Sequence, residues 1–181
     1  GGIGIYVTNL SKILKNRGHT VFIASSGGNL EERIAGYDIP HFKLDINTKS
    51  ELSPKVFKSF ITLKKIIKDE KIDLIHAHTR VTAVSAAIVS HATGIPYVTT
   101  CHGFFKRRLG RLLCGCWGDK VVAISEAVKQ HLRNDFRIPE EKIALIYTGV
   151  ETDRFSKDPT GEEKAEIRRK FGLENIAVII G

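Results

Sequence analysis

The spacing of hydrophobic positions changes repeatedly along the chain. Short runs of aliphatic and β-branched residues predict strands at 20–24, 40–44, 73–78, 96–100, 120–124, 143–147 and 176–180. Between these runs, apolar residues recur at helical spacing, and the first predicted helix carries such a face at Ile5, Leu10, Ile13 and Leu14. Strands that alternate with helices favour right-handed crossovers, so we predict an α/β fold with a Rossmann-like, doubly wound parallel sheet.

Glycines mark the start of the chain. Gly1, Gly2 and Gly4 open the first predicted helix, and no strand precedes them. In a doubly wound sheet such a turn follows the first central strand, so we expect the chain to lack that strand. Glycines also let an anion approach the free N–H groups at a helix start, which makes Gly1 and Gly2 candidates for binding a phosphate. An ordinary turn and a cloning remnant are the alternatives.

The loops that follow the strands are the candidate site, because ligands of parallel sheets bind at the carboxyl ends of strands. His102 follows one strand and precedes Gly103. An imidazole there can bind a sugar hydroxyl or a phosphate, or transfer a proton, and a plain loop histidine is the alternative. The neighbouring Cys101 is not favoured as a nucleophile, since that role also needs a third, orienting group.

Polar residues also follow two other predicted strands. His76 and His78 share one face of a strand, but no third ligand is apparent nearby, so we expect His76 in the core, His78 in a loop and no metal site. Arg80 begins the next helix, where a cation opposes the helix dipole, so we expect it to face an anion or a carboxylate. Ser125 is expected as the N-cap of a later helix, a role compatible with a ligand contact.

A basic amphipathic segment covers residues 104–116. Residues 101–120 contain five Lys or Arg and one Asp, which supplies half of the net charge of +8. Basic amphipathic helices bind anionic membrane surfaces, and a solvated helix with extended arginines is the alternative. The residues expected to face a membrane or an acceptor are Phe104, Phe105, Lys106, Arg107, Arg108 and Arg111. Nucleic acid is not an expected partner, because no recognition module is present.

Composition narrows the class of protein. The 181 residues are 42% hydrophobic and 27% charged, as in soluble globular proteins. No apolar run reaches the ~18–20 residues that span a bilayer. Three cysteines, Cys101, Cys114 and Cys116, are too few for a disulfide scaffold and are expected as reduced thiols of a cytosolic protein.

Several short motifs occur together in a fixed order. They are Gly1-Gly2, Arg17-Gly18-His19-Thr20-Val21, the run from Ile72 to His78, Gly94-Ile95-Pro96, and the runs Thr100 to Gly103, Ala123 to Ala127 and Thr148 to Phe155. Across residues 1–155 this order resembles the retaining glycosyltransferases of family 4, which have the GT-B fold. The resemblance implies two Rossmann-like domains, the second holding most of a nucleotide-sugar donor and the first most of the acceptor.

The resemblance also implies roles for individual residues. His102 would contact the transferring sugar and is the catalytic candidate, and Gly1 and Gly2 would approach the donor phosphate. The acceptor cleft would be lined by His78, Arg80, Ser125 and Glu126, and the interdomain linker would begin at Gly149 and Val150. The linker departs from the family's Asn-Gly-Val-Asp pattern, which leaves its hydrogen bonding open.

We expect a first domain over 1–150, a linker and helix over 151–175, and the first strand of a donor-binding domain over 176–181. The full-length enzyme would transfer a sugar, with retention, to a glycan or lipid-linked acceptor in polysaccharide or lipopolysaccharide synthesis. It would need no metal or other cofactor. The chain alone would be inactive, because the family's acidic motif and its basic residues for the diphosphate lie outside it.

The expected location is cytoplasmic, and a peripheral position on the inner face of the cytoplasmic membrane stays open. Two alternatives stay open. One is a nucleotide-sugar epimerase of the same architecture, and the other is a non-catalytic basic module that binds an anionic membrane surface.

Overall fold

The computed structural model describes residues 2–48, 50–51, 53–107, 109–150, 152, 158 and 160–174. The chain divides into two compact units, Gly1–Thr148 and Gly149–Gly181. The helices are α1 (Gly2–Asn16), α2 (Glu31–Ala35), α3 (Pro54–Asp69), α4 (Arg80–Thr93), α5 (Leu109–Leu113), α6 (Glu126–Phe136) and, in the second unit, α7 (Gly161–Lys170). The strands are β1 (Ile23–Ser25), β2 (His41–Lys43), β3 (Ile75–Ala77), β4 (Tyr97–Cys101), β5 (Lys120–Ala123) and β6 (Ile143–Leu145). None of the described helices is both long enough and apolar enough to cross a membrane.

All described strands pair in parallel. β1 pairs with β2, and β3, β4, β5 and β6 form a second sheet in which spatial order equals chain order. The register aligns Cys101 with Ala123 and Ala123 with Leu145, so β4, β5 and β6 end at one edge of the sheet. The predicted α/β fold with parallel strands is confirmed, and its strands lie in two sheets that no ladder joins within the described residues. The predicted strand at 176–180 lies outside those residues.

The larger core lies between the four-stranded sheet and α6. Val121 and Ala123 of β5 and Leu132 of α6 are fully buried. Helix α6 begins where the Ser125 hydroxyl accepts the Val128 N–H at 3.2 Å, and it ends at Arg137 with φ +52°. The cap and the apolar spacing of α6 together hold the loop after β5 against the sheet.

Helix α1 packs through small residues. Its buried positions are Thr8 and Ser11, whereas Ile5 is 44% and Ile13 is 48% exposed. A Cβ atom on Gly4 would lie 2.8 Å from Cδ1 of Leu30, so the helix backbone approaches its neighbour closely on this side. Ile5 and Ile13 of the predicted apolar face are therefore exposed, because the small side chains of Thr8 and Ser11 decide which face can pack.

The basic segment is not one amphipathic helix. Helix α5 covers only Leu109–Leu113, and residues 104–107 form an irregular loop. Gly110 and Gly115 weaken helix formation in this segment, since glycine costs about 1 kcal/mol relative to alanine within a helix. The helix that both interpretations of this segment assume is therefore limited to Leu109–Leu113 among the described residues.

Candidate functional site

Three aromatic side chains meet at the carboxyl ends of β3 and β4. Nδ1 of His78 and Nε2 of His102 are 3.3 Å apart and share a hydrogen bond. The ring of Tyr6 stands edge-on to His102, with centroids 4.8 Å apart, and lies 5.7 Å from the ring of His78. The structure thus brings together the catalytic candidate, one predicted cleft residue and a tyrosine from α1.

A second hydrogen bond anchors this histidine cluster to the sheet. The ring of His76 stacks against His78 with centroids 4.1 Å apart, and its Nε2 atom lies 2.7 Å from the Thr100 hydroxyl. Thr100 is buried within β4. His76 is half-buried and contacts both His78 and Thr100. It therefore lies near the core, as the sequence predicts.

The cluster is uncharged at neutral pH. Burial, followed by the nearby His102, lowers the pKa of His76 to about 4. Burial, followed by His76 and His102, lowers the pKa of His78 to about 3. Burial also lowers the pKa of His102. Neutral imidazoles each carry one donor and one acceptor nitrogen, so the cluster can bind a hydroxyl in either sense.

The first turn of α1 reaches the same edge. Tyr6 follows Gly2 by four residues, which is about 6 Å along a helix axis, so the free N–H groups of the α1 start lie about one turn from the residue that contacts His102. Gly2 is exposed, and a Cβ added there would meet nothing within 4 Å. The phosphate-binding role of Gly2 therefore stays a prediction, and Gly1 lies outside the described residues.

Arg80 has the carboxylate partner that its position predicts. Its Nε atom donates to Oε2 of Glu51 at 2.5 Å, and its other nitrogens donate to the carbonyl oxygens of Cys114 and Gly115. The side chain is only 11% exposed. Arg80 therefore ties the loop before α3 to the loop before β5, and its expected contact with an acceptor stays a prediction.

Ser125 and Glu126 lie beside this edge but face different ways. The Ser125 hydroxyl caps α6, as predicted, and the register of β4 with β5 places the residue near the loop of His102. Glu126 is exposed, and its carboxylate accepts a hydrogen bond from Gln130 at 2.8 Å. Their role in a cleft stays a prediction.

The segment predicted to form a membrane or acceptor surface is split by the fold. Phe104, Lys106 and Arg107 are exposed, in agreement with a surface role. Phe105 instead packs against Trp117, and the Arg111 guanidinium lies over the Phe105 ring at 4.7 Å and 4.0 Å from Glu51. The surface prediction is wrong for Phe105 and Arg111, because aromatic and charged partners inside the fold hold them. Arg108 lies outside the described residues.

Cys101 does not act as a nucleophile in this arrangement. It is buried, its thiol donates to the carbonyl of Gly103 at 3.1 Å, and burial raises its pKa to about 11. Thiolate is the reactive form, so a raised pKa makes the group inert. Within the described ranges, no group of three or more His, Cys, Asp or Glu side chains is arranged to hold a metal ion.

The predicted linker start falls in the second unit. Gly149 is exposed, and the side chain of Val150 is 66% exposed. The two residues directly follow the end of the first unit at Thr148. Their role as a linker stays a prediction.

Sequence reasoning missed two residues that the structure places here. Tyr6 contacts both loop histidines, and Glu51 pairs with Arg80. The only sequence signal for Tyr6 was its place in the first turn after the glycines. Glu51 had none, because its partner lies on another element far along the chain.

Comparisons with known proteins identify the family and the fold. The family model described as Glycosyltransferase Family 4 matches residues 1–154. The glycosyltransferase of Rickettsia africae ESF-5 superposes with a TM-score of 0.77 at 30% identity, covering 94% of this chain and 46% of that one. Alr3699/HepE of Anabaena, in its complex with UDP-glucose, superposes with a TM-score of 0.75 at 20% identity, covering 97% of this chain and 47% of that one.

One sequence relative comes from yeast. The phosphatidylinositol N-acetylglucosaminyltransferase GPI3 subunit of Saccharomyces cerevisiae is 24% identical over an alignment of 198 positions, gaps included, which covers 99% of this chain and 42% of the yeast protein. The chain thus spans less than half the length of each of these three proteins. The superpositions show the Rossmann-like fold of the GT-B glycosyltransferases. Because the family model covers the parallel sheets and the histidine cluster, the chain belongs to glycosyltransferase family 4.

Proposed function

We propose that this chain is the acceptor-side half of an enzyme that transfers a sugar from a nucleotide sugar to a glycan or lipid-linked acceptor, with retention of configuration. One observation carries the proposal: His102 stands at the carboxyl edge of the sheet, held by Tyr6 and His78, beside the start of α1. Family membership supports sugar transfer, and the complex of the Anabaena protein with UDP-glucose supports a nucleotide-sugar donor.

His102 orients the transferring sugar through one free nitrogen. Its Nε2 atom is engaged by His78, and Nδ1 has no partner among the described residues. When His78 donates, His102 carries its proton on Nδ1 and donates to a sugar hydroxyl, and the opposite tautomer accepts from one. A neutral ring suits this role, because it binds a hydroxyl without placing a positive charge beside the electron-poor sugar of the transition state.

The start of α1 stabilises the leaving group. Sugar transfer from a nucleotide sugar releases a nucleoside diphosphate, whose negative charge develops as the bond to the sugar breaks. The free N–H groups at Gly2 and the following residues present a positive helix end to that charge. Further cations for the diphosphate belong to the second domain, which the family resemblance implies. No metal is required in this scheme.

A lipid-linked acceptor is the more specific part of the proposal. The yeast relative is named as a phosphatidylinositol N-acetylglucosaminyltransferase subunit, which supports an acceptor held in a membrane. The enzyme would then work at the cytoplasmic face of that membrane. His78, Ser125 and Glu126 are the residues that we assign to the acceptor side of the cleft.

The test is a sugar-transfer assay on a full-length enzyme that contains this sequence and is as long as its relatives. A panel of nucleotide sugars is offered with lipid-linked and free glycan acceptors, and the anomeric configuration of the product is read by NMR. We expect His102→Ala to lower kcat by about 10²–10³-fold, as for loss of one polar contact to a transition state. The matched control is His91→Ala, since His91 is exposed near the far end of α4.

Three results would contradict the proposal. If His102→Ala lowers kcat only a few-fold, His102 does not orient the transferring sugar. A product with inverted anomeric configuration would contradict transfer with retention. A modified sugar nucleotide formed without any acceptor identifies an epimerase instead.

A further inference from the structure

One face of α3 is exposed, apolar in part and strongly basic. Phe57 is 55% exposed and Ile61 is 73% exposed, the highest value for any large hydrophobic side chain among the described residues. Helix α3 buries its opposite side through Val56, Ser59 and Ile67. An amphipathic helix normally turns its large hydrophobic residues toward the core, so the exposed pair needs another explanation.

Lysines surround this exposed pair on the same face. A helix turns about 100° per residue, which places the six side chains within roughly 120° of arc and no acidic residue among them. The six residues, here called the α3 basic face, are Phe57, Lys58, Ile61, Lys64, Lys65 and Lys68. All four of these lysines are exposed.

The fold does not neutralise these charges. Lys64 lies 6.0 Å from the ring of Phe60 on its own helix. Within the described residues, no ion pair is formed by Lys58, Lys65 or Lys68, whereas Lys55, outside the face, pairs with Asp45 at 2.7 Å. The face therefore keeps about four positive charges around two large apolar side chains.

The combination selects one kind of partner. A second copy of the chain is disfavoured, because a symmetric contact would set four lysines against four lysines. Lysines around exposed Phe and Ile are suited to a surface that is negative outside and apolar just beneath, which is an anionic lipid layer. We propose that the α3 basic face docks on the surface of an anionic membrane, with Phe57 and Ile61 entering the headgroup layer.

The position of α3 fits this proposal. Glu51, in the loop before α3, pairs with Arg80 at the start of α4, so α3 begins at the same edge of the sheet as the histidine cluster. Phe57, Lys58 and Ile61 lie in the first half of α3, so their docking would hold that edge near lipid headgroups. The docking does not depend on sugar transfer, and its test below uses no activity.

The test is flotation of the chain with vesicles of phosphatidylcholine, with or without phosphatidylglycerol. We expect the chain to float with the anionic vesicles, and to float less as ionic strength rises. Lys64→Glu, Lys65→Glu and Lys68→Glu together should lower the bound-to-free ratio at least about tenfold, since each lysine near a charged lipid surface contributes measurably. Phe57→Ser with Ile61→Ser should lower it by a similar factor.

The matched control is Phe104→Ser with Leu112→Ser. Phe104 is 69% and Leu112 is 44% exposed, and both lie in the segment whose pattern first predicted a membrane contact. This variant should float like the parent chain. Equal melting temperatures for the three variants and the parent would show that all of them are folded, as expected for exposed positions.

Four outcomes would overturn the proposal. They are no flotation with either vesicle, equal flotation with both, unchanged flotation of the α3 variants, and loss of flotation in the control variant alone. The first outcome would indicate an acidic protein as the partner of the α3 basic face. The last would indicate that residues 104–112 make the membrane contact.

Discussion

Two glycines with nearly equal backbone conformations differ in what surrounds them. Gly118 has φ +84° and Gly18 has φ +87°, a region that side-chain-bearing residues rarely adopt. A Cβ atom on Gly118 would collide with the carbonyl oxygen of Tyr97, whereas one on Gly18 would meet nothing within 4 Å. The pair therefore separates the conformational cost of losing glycine from the cost of a backbone clash.

Gly18→Ala should lower the free energy of unfolding by about 1 kcal/mol, through conformation alone. Gly118→Ala should lower it by about 3 kcal/mol, because a clash with backbone adds about 1–3 kcal/mol of overpacking. Urea denaturation of both variants measures the difference. Equal losses would show that the loop before β5 shifts freely away from Tyr97.

Buried neutral histidines make stability depend on pH. In an unfolded chain a histidine titrates near 6.5, whereas in the fold the pKa of His76 is about 4 and that of His78 is about 3. Below pH 6.5 these histidines are protonated in the unfolded chain but stay neutral in the folded chain. The stability present above pH 6.5 is therefore lost progressively as the pH falls toward 4 and then 3.

His78→Gln should reduce this loss, because glutamine keeps polar atoms at the site but does not titrate. The measurement is the free energy of unfolding against pH from neutral to mildly acidic solution, compared with the parent chain. His19→Gln is the control, since His19 is exposed in the turn after α1. A parent-like slope for His78→Gln would mean that His78 is not buried as a neutral ring.

Among the elements, α6 shows how a cap and a site residue can coincide. The Ser125 hydroxyl accepts the Val128 N–H, and Ser125 also follows β5 at the edge that carries His102. Ser125→Ala should cost about 1 kcal/mol of stability, and Ser125→Asp should restore most of it, because aspartate is also a good N-cap. Thermal unfolding of both variants measures the cap.

The same pair of variants separates the cap from the proposed cleft. If Ser125 also contacts an acceptor, Ser125→Asp should keep stability yet lose transfer activity in the full-length enzyme. Recovery of both properties together would limit Ser125 to capping.

The elements show where sequence reasoning succeeds. All six described strands overlap predicted runs, since aliphatic and β-branched runs between turn residues are a local signal. The loops of His78 and His102 were also found, because polar residues after buried strands are local. The inward face of α1 was missed, because Gly4, Thr8 and Ser11 pack through close approach rather than hydrophobicity.

Contacts between distant elements could not be read from spacing. Both helical interpretations of the basic segment 104–116 left out Glu51, which pairs with Arg80 and lies 4.0 Å from Arg111. A lone glutamate in a polar loop carries no sign of its partner. Tyr6 was missed for the same reason, since only the fold brings the first turn of α1 to the histidines.

At the scale of the first unit, Glu51 joins three separated parts of the chain. Its carboxylate meets Arg80 at the start of α4 and Arg111 in α5, and Arg80 also holds the carbonyls of Cys114 and Gly115. Glu51→Gln keeps the shape of the side chain but removes its charge. We expect a loss of about 1–3 kcal/mol, as for a hydrogen bond to a charged group.

The Glu51→Gln substitution should affect the order of the irregular loop 104–107 more than the stability of the whole unit. Lys106 and Arg107 are exposed in the irregular loop, so trypsin should cleave after them faster in Glu51→Gln than in the parent chain. The control is Glu32→Gln, because Glu32 is exposed on α2. An unchanged cleavage rate would show that Arg80 alone holds the segment.

The coincidence of chain order and spatial order in the sheet β3–β6 has an evolutionary consequence. Each loop at the functional edge connects one strand to the helix that leads to the next strand. Such a loop can lengthen or be replaced without altering the pairing of the next strand. Residues 104–107, which belong to no helix or strand, are the natural place for such an exchange. Grafting the exposed residues of this stretch between family members, with Phe105 kept because it packs against Trp117, should therefore transplant a preference for one acceptor while leaving the scaffold intact.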